Sequence, residues 1–251
     1  MLEEPYRWIE AIRNRREYLD DQLQGASPVV GMAYQGGLLL LTTTPGPRKL
    51  FEVYNEIAFA AIGHPADIEK LRKAVIDIAH VEGFNLSAND VSLQRLVSFG
   101  IGPLMKSAFD EIFRSPFIAR VLLAELESED GAFYAIDADG SFAPVGRFAA
   151  IAGTEASAEG AVVRLKERDG RGLELEDALR VALEAWACGR LLAEGEEETP
   201  PDDARIADFL GRTLAEVNVE AAVLDRALPT KSKFRLLQPA DLKRLLAAYA
   251  N

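Results

Sequence analysis

The stretch Ser27–Gly63, SPVVGMAYQGGLLLLTTTPGPRKLFEVYNEIAFAAIG, decides the fold. Two apolar runs, Pro28–Tyr34 and Leu38–Thr43, flank Gly36-Gly37. Glycine supplies the positive φ of a tight hairpin turn, so the spacing predicts two antiparallel strands. Thr44–Pro47 holds two prolines and a glycine and cannot sustain a strand ladder. Beyond this break, Leu50–Tyr54 and Ile57–Ile62 read as a second strand pair. Upstream, Pro5–Gln24 reads as a helix. Trp8, Ile9, Ile12, Leu19 and Leu23 recur at helical spacing on it, and Gly25 is the stop.

Downstream, helical spacing takes over. Ile68, Leu71, Val75 and Ile78 mark one helix, with Pro65 favourable in its first turn. Leu93 to Ile112 marks another, with Gly102-Pro103 inside it predicting a kink or break. Strands return at Ile118–Leu126, Ala132–Ile136 and Ala149–Ile151. Asp137-Ala138-Asp139-Gly140 turns between the second and third. Helices follow at Ala156–Glu167 and Leu175–Leu192. The acidic, proline-containing segment Glu194–Asp203 reads as a mobile loop, with a short helix at Ala204–Leu210. Strands at Glu220–Leu224 and Lys233–Leu237 and a helix from Pro239 complete the order. Strands that come in hairpins, separated by pairs of helices, exclude a doubly wound parallel sheet. The expected fold class is α+β: a four-layer α/β/β/α sandwich of two antiparallel sheets between helical layers. No domain boundary or solenoid period interrupts it, so residues 1–251 read as one domain.

The chain has 251 residues, 49% hydrophobic and 27% charged, an ordinary globular composition. Net charge is −12, which argues against a nucleic-acid partner. Arg13, Arg15 and Arg16 form the one basic cluster. They read as a solvated helix face paired with Glu10, Glu17, Asp20 and Asp21. No apolar run is long enough to span a bilayer and the N-terminus lacks a signal-type apolar core, so no membrane partner is expected. The single cysteine, Cys188, forms no internal disulfide, which fits a reducing cytoplasm. It lies in the apolar run AWACG and reads as a core residue. Asp137–Gly140 lacks the downstream acids of a calcium loop. His64 and His80, the two histidines, have no cysteine or histidine cluster beside them. No metal site and no cofactor are expected.

Four segments carry a resemblance: SPVVGMAYQGGLLLL, KLFEVYNEIAFAAIG, FYAIDADGS and VEAAVLDR. They resemble, in this order, the corresponding segments of proteasome core subunits, within the N-terminal-nucleophile hydrolase fold. The similarity is strongest to alpha-type subunits of the bacterial, actinobacterial-like branch and runs from Pro5 to Leu246. An acidic insertion around 194–212 departs from it. The Ser-Pro-Asp-Gly-Arg and Gln-Val-Glu-Tyr signatures of archaeal and eukaryotic alpha subunits are absent, as in the bacterial branch.

The resemblance implies a non-catalytic subunit. Catalysis in this fold needs a free N-terminal Thr, Ser or Cys whose α-amine handles the proton. Ser27 falls opposite the catalytic threonine. It follows Ala26 where self-cleaving subunits have glycine, Pro28 comes next, and Thr43 replaces the acidic partner. The alternative is a self-processing hydrolase, or an HslV-like single-subunit peptidase, with Ser27 as nucleophile. The resemblance further implies an alpha-ring homo-oligomer stacked on beta-type subunits. Met1, Leu2, Glu3, Glu4 and Pro5 would gate the entry of protein substrates. Lys49 would receive the C-terminal carboxylates of a regulatory ATPase ring. Read without the resemblance, Lys49 simply marks a strand edge after Pro45-Gly46-Pro47.

Overall fold

The computed structural model describes residues 4–87, 90–111, 113–126, 132–168, 172–195, 200–247 and 249. Helix α1 (Glu4–Leu23) leads into four strands: β1 (Val29–Tyr34), β2 (Gly37–Thr44), β3 (Leu50–Tyr54) and β4 (Ile57–Gly63). Helix α2 (Pro65–Asn85) starts where His64 caps it, its Nδ1 accepting from the Ala66 N–H. A short α3 (Leu93–Arg95), a π-helical segment (Leu96–Ile101) and α4 (Gly102–Asp110) run on from one another. Strands β5 (Ala119–Glu125), β6 (Ala132–Ile136), β7 (Phe142–Pro144) and β8 (Phe148–Ile151) follow. Then come α5 (Glu155–Glu167), α6 (Leu175–Glu194), α7 (Asp203–Thr213), β9 (Asn218–Asp225), β10 (Phe234–Leu236) and α8 (Pro239–Ala247).

The strands form two antiparallel five-stranded sheets, ordered β10-β9-β2-β1-β8 and β3-β4-β5-β6-β7. Three apolar clusters make the four layers. Leu39 and Leu41 of β2 pack outward with Leu183, Trp186 and Leu210 of the helices on that face. Leu38 and Leu40 of the same strand point the other way, against Leu122, Ala124 and Phe133 of the facing sheet. Phe59 and Ala61 of β4 cover the second helical layer with Leu71, Val75 and Leu96. A strand buried on both faces needs apolar residues at consecutive positions, which is why Leu38–Leu41 is unbroken. Gly31 of β1 leaves room between the sheets: a Cβ there would stand 2.7 Å from the Phe133 ring.

The local readings differ from this structure at four places. The β1–β2 turn is Gln35-Gly36, because Tyr34 pairs with Gly37. Gly37 itself carries the positive φ, +148°, and a Cβ on it would lie 2.0 Å from the Leu224 carbonyl oxygen of β9. The strand β7 went unseen; it is three residues long, exposed and ends on proline. The run is not broken at Pro103: it stays helical, passing through the π-helical segment. The proline sits in the first turn of α4, where a missing N–H costs nothing, behind the π-helical turn. Arg16 is exposed as read, but Arg15 and Arg16 reach partners outside their own helix. Arg15 donates to the carbonyls of Ala108 (3.0 Å) and Arg114 (2.7 Å), and Arg16 pairs with Asp139 at 2.6 Å. Arg13 alone keeps its expected partner, Glu17, at 4.0 Å.

Of the N-terminal helix face, Leu19 and Leu23 are buried and Ile12 packs beside them at the edge of the inter-sheet core. Trp8 and Ile9 are exposed. Met1, Leu2 and Glu3 lie outside the described residues, and Glu4 and Pro5 open α1. Residues 196–199 of the acidic segment also lie outside them. Its later part is helix α7, which buries Ile206, Phe209 and Leu210 on α6 and rests the Phe209 ring 6.0 Å from that of Trp186. Among the described residues no helix is long and apolar enough to cross a membrane.

Candidate functional site

The site is built where the two sheets meet at one end. Strand β2 ends in Thr42-Thr43-Thr44, and the 45–48 loop returns the chain to β3 of the other sheet. Glu220 of β9 lies opposite Thr42 in the first sheet. Alternation points its side chain between the sheets, to the start of β3. There its carboxylate accepts from the backbone N–H groups of Lys49 (3.0 and 3.3 Å to the two oxygens) and Leu50 (3.0 Å). One buried acid thus fastens the beginning of the second sheet to the edge of the first. Burial pushes the Glu220 carboxyl above its ordinary value, against these two bonds and the charges of Arg48 and Lys49.

Lys49 is half-buried. Its Nζ donates to the carbonyls of Thr43 (3.3 Å) and Ser27 (3.5 Å). Among the described residues its ammonium has no carboxylate oxygen within ion-pair distance, although the charge of nearby Glu220 acts on it. Desolvation lowers its pKa to about 8, Glu220 opposing and Arg190 adding to the shift.

Ser27 stands beside it. Its hydroxyl oxygen accepts from the indole N–H of Trp186 (2.9 Å) and lies 3.1 Å from the Thr43 hydroxyl. The structure therefore brings Ser27, Thr43 and Lys49 together, as the alignment of the resemblance placed them. It adds Glu220, Trp186 and Arg190, which the sequence reading passed over. Glu220 had a signal, as an acid set between the apolar residues Val219 and Ala221 near the start of VEAAVLDR. Trp186 had none, being one of many apolar residues on α6.

The constellation lacks what a nucleophile needs. Upstream of Ser27, α1 packs into the core through Leu19 and Leu23. Thr43 contributes no carboxylate, and the serine oxygen is occupied by a tryptophan donor. Among the described residues, no group of three or more His, Cys, Asp or Glu is placed to hold a metal ion.

The Proteasome family profile, "Proteasome subunit", matches residues 24–190, more than half of the chain. The chain belongs to the proteasome subunit family. Relatives named proteasome subunit alpha align over almost its whole length. That of Frankia casuarinae is 30% identical over 242 residues, covering 95% of this chain and 93% of its own. That of Frankia alni is 29% identical, covering 96% and 94%. That of Mycobacterium tuberculosis is 28% identical, covering 94% and 90%. These are alpha-type subunits, the non-catalytic kind, and the blocked, tryptophan-bound Ser27 suits that kind. In this proteasome subunit a lysine, Lys49, and two hydroxyls, of Ser27 and Thr43, stand side by side where the two sheets meet.

Proposed function

We propose that copies of this chain close into the outer, heptameric ring of a 20S-like proteasome core in the cytoplasm. The ring stacks on beta-type subunits, whose threonine nucleophiles cut protein substrates. Its N-terminal segment, Met1–Pro5, restricts entry at the axial pore. Lys49 docks the C-terminal tails of a regulatory ATPase ring. A cyclic ring joins unlike faces of neighbouring copies, so each subunit carries two complementary surfaces. The exposed apolar side chains support that need. Trp8 and Ile9 lie on α1, Phe84 and Leu86 at the end of α2, and Phe99 on the π-helical segment. Such clusters on a monomer mark contact surfaces.

One observation carries the docking role. Lys49 is a cation desolvated against two carbonyls, without a carboxylate of its own. A terminal carboxylate supplies the missing counter-charge, and a partly buried pair is worth more than an exposed one. Lys49→Ala tests this in the assembled particle. The expected result is intact assembly with at least a roughly ten-fold loss of activator affinity, the scale of one charge-assisted contact. Unchanged activator-stimulated degradation would refute the docking role.

A further inference from the structure

We infer that a groove on the β7–β8 side of the molecule is filled by a second copy of this chain, Arg48 of each subunit entering the groove of the next. The contact rests on the ring proposed above and names the two unlike faces that a cyclic assembly joins. Both sheets end in free edges on opposite sides of the sandwich. Strands β10 and β3 border one side and β8 and β7 the other, with β9 packed on β3 and β8 on β5 and β6. Free sheet edges are surfaces that a fold covers or an assembly closes.

The groove holds about 1080 Å³ between the edges of the two sheets, beside the second half of α1 and the start of α5. Five carboxylates and only two guanidiniums line it. Arg120 pairs with Asp20 and Asp137, and Arg16 with Asp139. Asp21 and Glu155 have no ion pair among the described residues, so the groove keeps an excess of negative charge. Along its rim β7 is exposed at all three residues, and Phe142 adds an apolar contact, being 41% exposed.

The opposite side carries a matching cation. Arg48 is exposed just before β3, and among the described residues it makes no hydrogen bond or ion pair. Glu220 acts on it through charge alone, its oxygens accepting from the Lys49 and Leu50 N–H groups. The two features also stand at one height. Register runs from Leu50 through Ala60, Leu122 and Ala135 to Ala143, straight across the sheet. Two residues before Leu50 is Arg48, and two before Ala143 is Ser141, which lines the groove. Copies set side by side by rotation alone bring that level of β3 against that level of β7. The Arg48 guanidinium then meets carboxylates that lack a partner, and this opposite-charge match fixes which face meets which.

Crosslinking tests the geometry. Arg48 and the groove lie at opposite edges of a five-stranded sheet, roughly 19 Å apart at the ordinary strand spacing, so a short bismaleimide cannot join positions 48 and 155 within one chain. Arg48→Cys and Glu155→Cys are placed together in a chain whose buried Cys188 is changed to serine, and the assembled particle is treated with the reagent. The expected product is a ladder of covalent multimers ending at the ring, with no multimer from either substitution alone. Charge tests the energetics. Arg48→Glu should weaken subunit association at least about ten-fold in dilution followed by native mass spectrometry, and Asp21→Arg with Glu155→Arg in the same chain should restore it. A parent chain that forms no ring would overturn the ring and this contact together. Rings that form without a crosslink between positions 48 and 155, or that tolerate Arg48→Glu unchanged, would overturn the contact alone. Dimers crosslinked through Arg48→Cys by itself would reveal a two-fold contact and overturn it as well.

Discussion

At the scale of single residues, three side chains set the chemistry of this end of the molecule. Ser27 has the hydroxyl of a nucleophile, but an indole N–H donates to it and Thr43 stands where a carboxylate would be needed. Glu220 has the carboxylate that could neutralise Lys49, but it holds two backbone N–H groups instead. Lys49 is left as a cation that burial disfavours. The consequence for stability has a definite sign. The folded-state pKa, about 8, lies below the ordinary lysine value of 10.5, so between these two the unfolded chain binds more protons. Stability from this group therefore rises as pH climbs from about 8 to 10.5. Lys49→Met should lose that rise, its urea midpoint gaining less than the parent's across the window. Parallel midpoint curves for the two proteins would contradict the assignment. The pairing of Ser27 with Lys49 was legible in the chain only through family likeness, since 22 residues and a change of sheet separate them.

At the scale of elements, α1 is the part most changed by tertiary contact. Its periodicity forecast an amphipathic helix, and Leu19 and Leu23 are buried as forecast. Its charges read as local pairs but act across the fold. Arg120 of β5 gathers the junction: it donates to Asp20 of α1 (2.7 Å), to Asp137 (2.8 Å) and to the carbonyls of Ala152 and Gly153 (2.8 Å each). Its side chain is largely buried while Asp20 and Asp137 are about half exposed, so solvent screens the two ion pairs and the bonds to the Ala152 and Gly153 carbonyls carry most of the cost. Arg120→Ala should cost about 2–4 kcal/mol in urea unfolding and speed proteolytic cleavage within α1. A midpoint equal to that of the parent would show the junction to be dispensable. Nothing in the order of residues indicates that Arg120 and Asp20, 100 positions apart, are neighbours. The same holds for α7. Its acidic start read as loop, yet Asp203 meets Arg164 at 2.5 Å and Arg168 at 2.7 Å, and burial of Phe209 then seats the helix on α6.

At the scale of the whole molecule, two sheets pack face to face and each carries a helical layer, so three cores form from one chain. Apolar side chains remain outside them: Phe84 is 90% exposed and Phe99 75%. A ring would cover such surfaces, and in it α1 would carry Met1–Pro5 to the pore. Deleting Met1–Tyr6 should raise peptide hydrolysis by the assembled particle several-fold without altering ring size. Hydrolysis unchanged by the deletion would dismiss the gate. Hydrophobic alternation and glycine-proline punctuation read out nine of the ten strands among the described residues in order, because burial on one or two faces writes itself directly into residue type. The strand that escaped, β7, is exposed and so leaves no such mark.

The chain alone determined the α/β/β/α layering and the hairpin that follows its first helix, since both depend on local pattern. Only tertiary structure decided that Glu220 caps Lys49 and Leu50, that Trp186 occupies Ser27, and that Arg120 clasps α1. Those are hydrogen bonds between residues 100 or more positions apart. Polar geometry of that kind has no periodicity; it exists only once the apolar faces have packed and brought the donors to their acceptors.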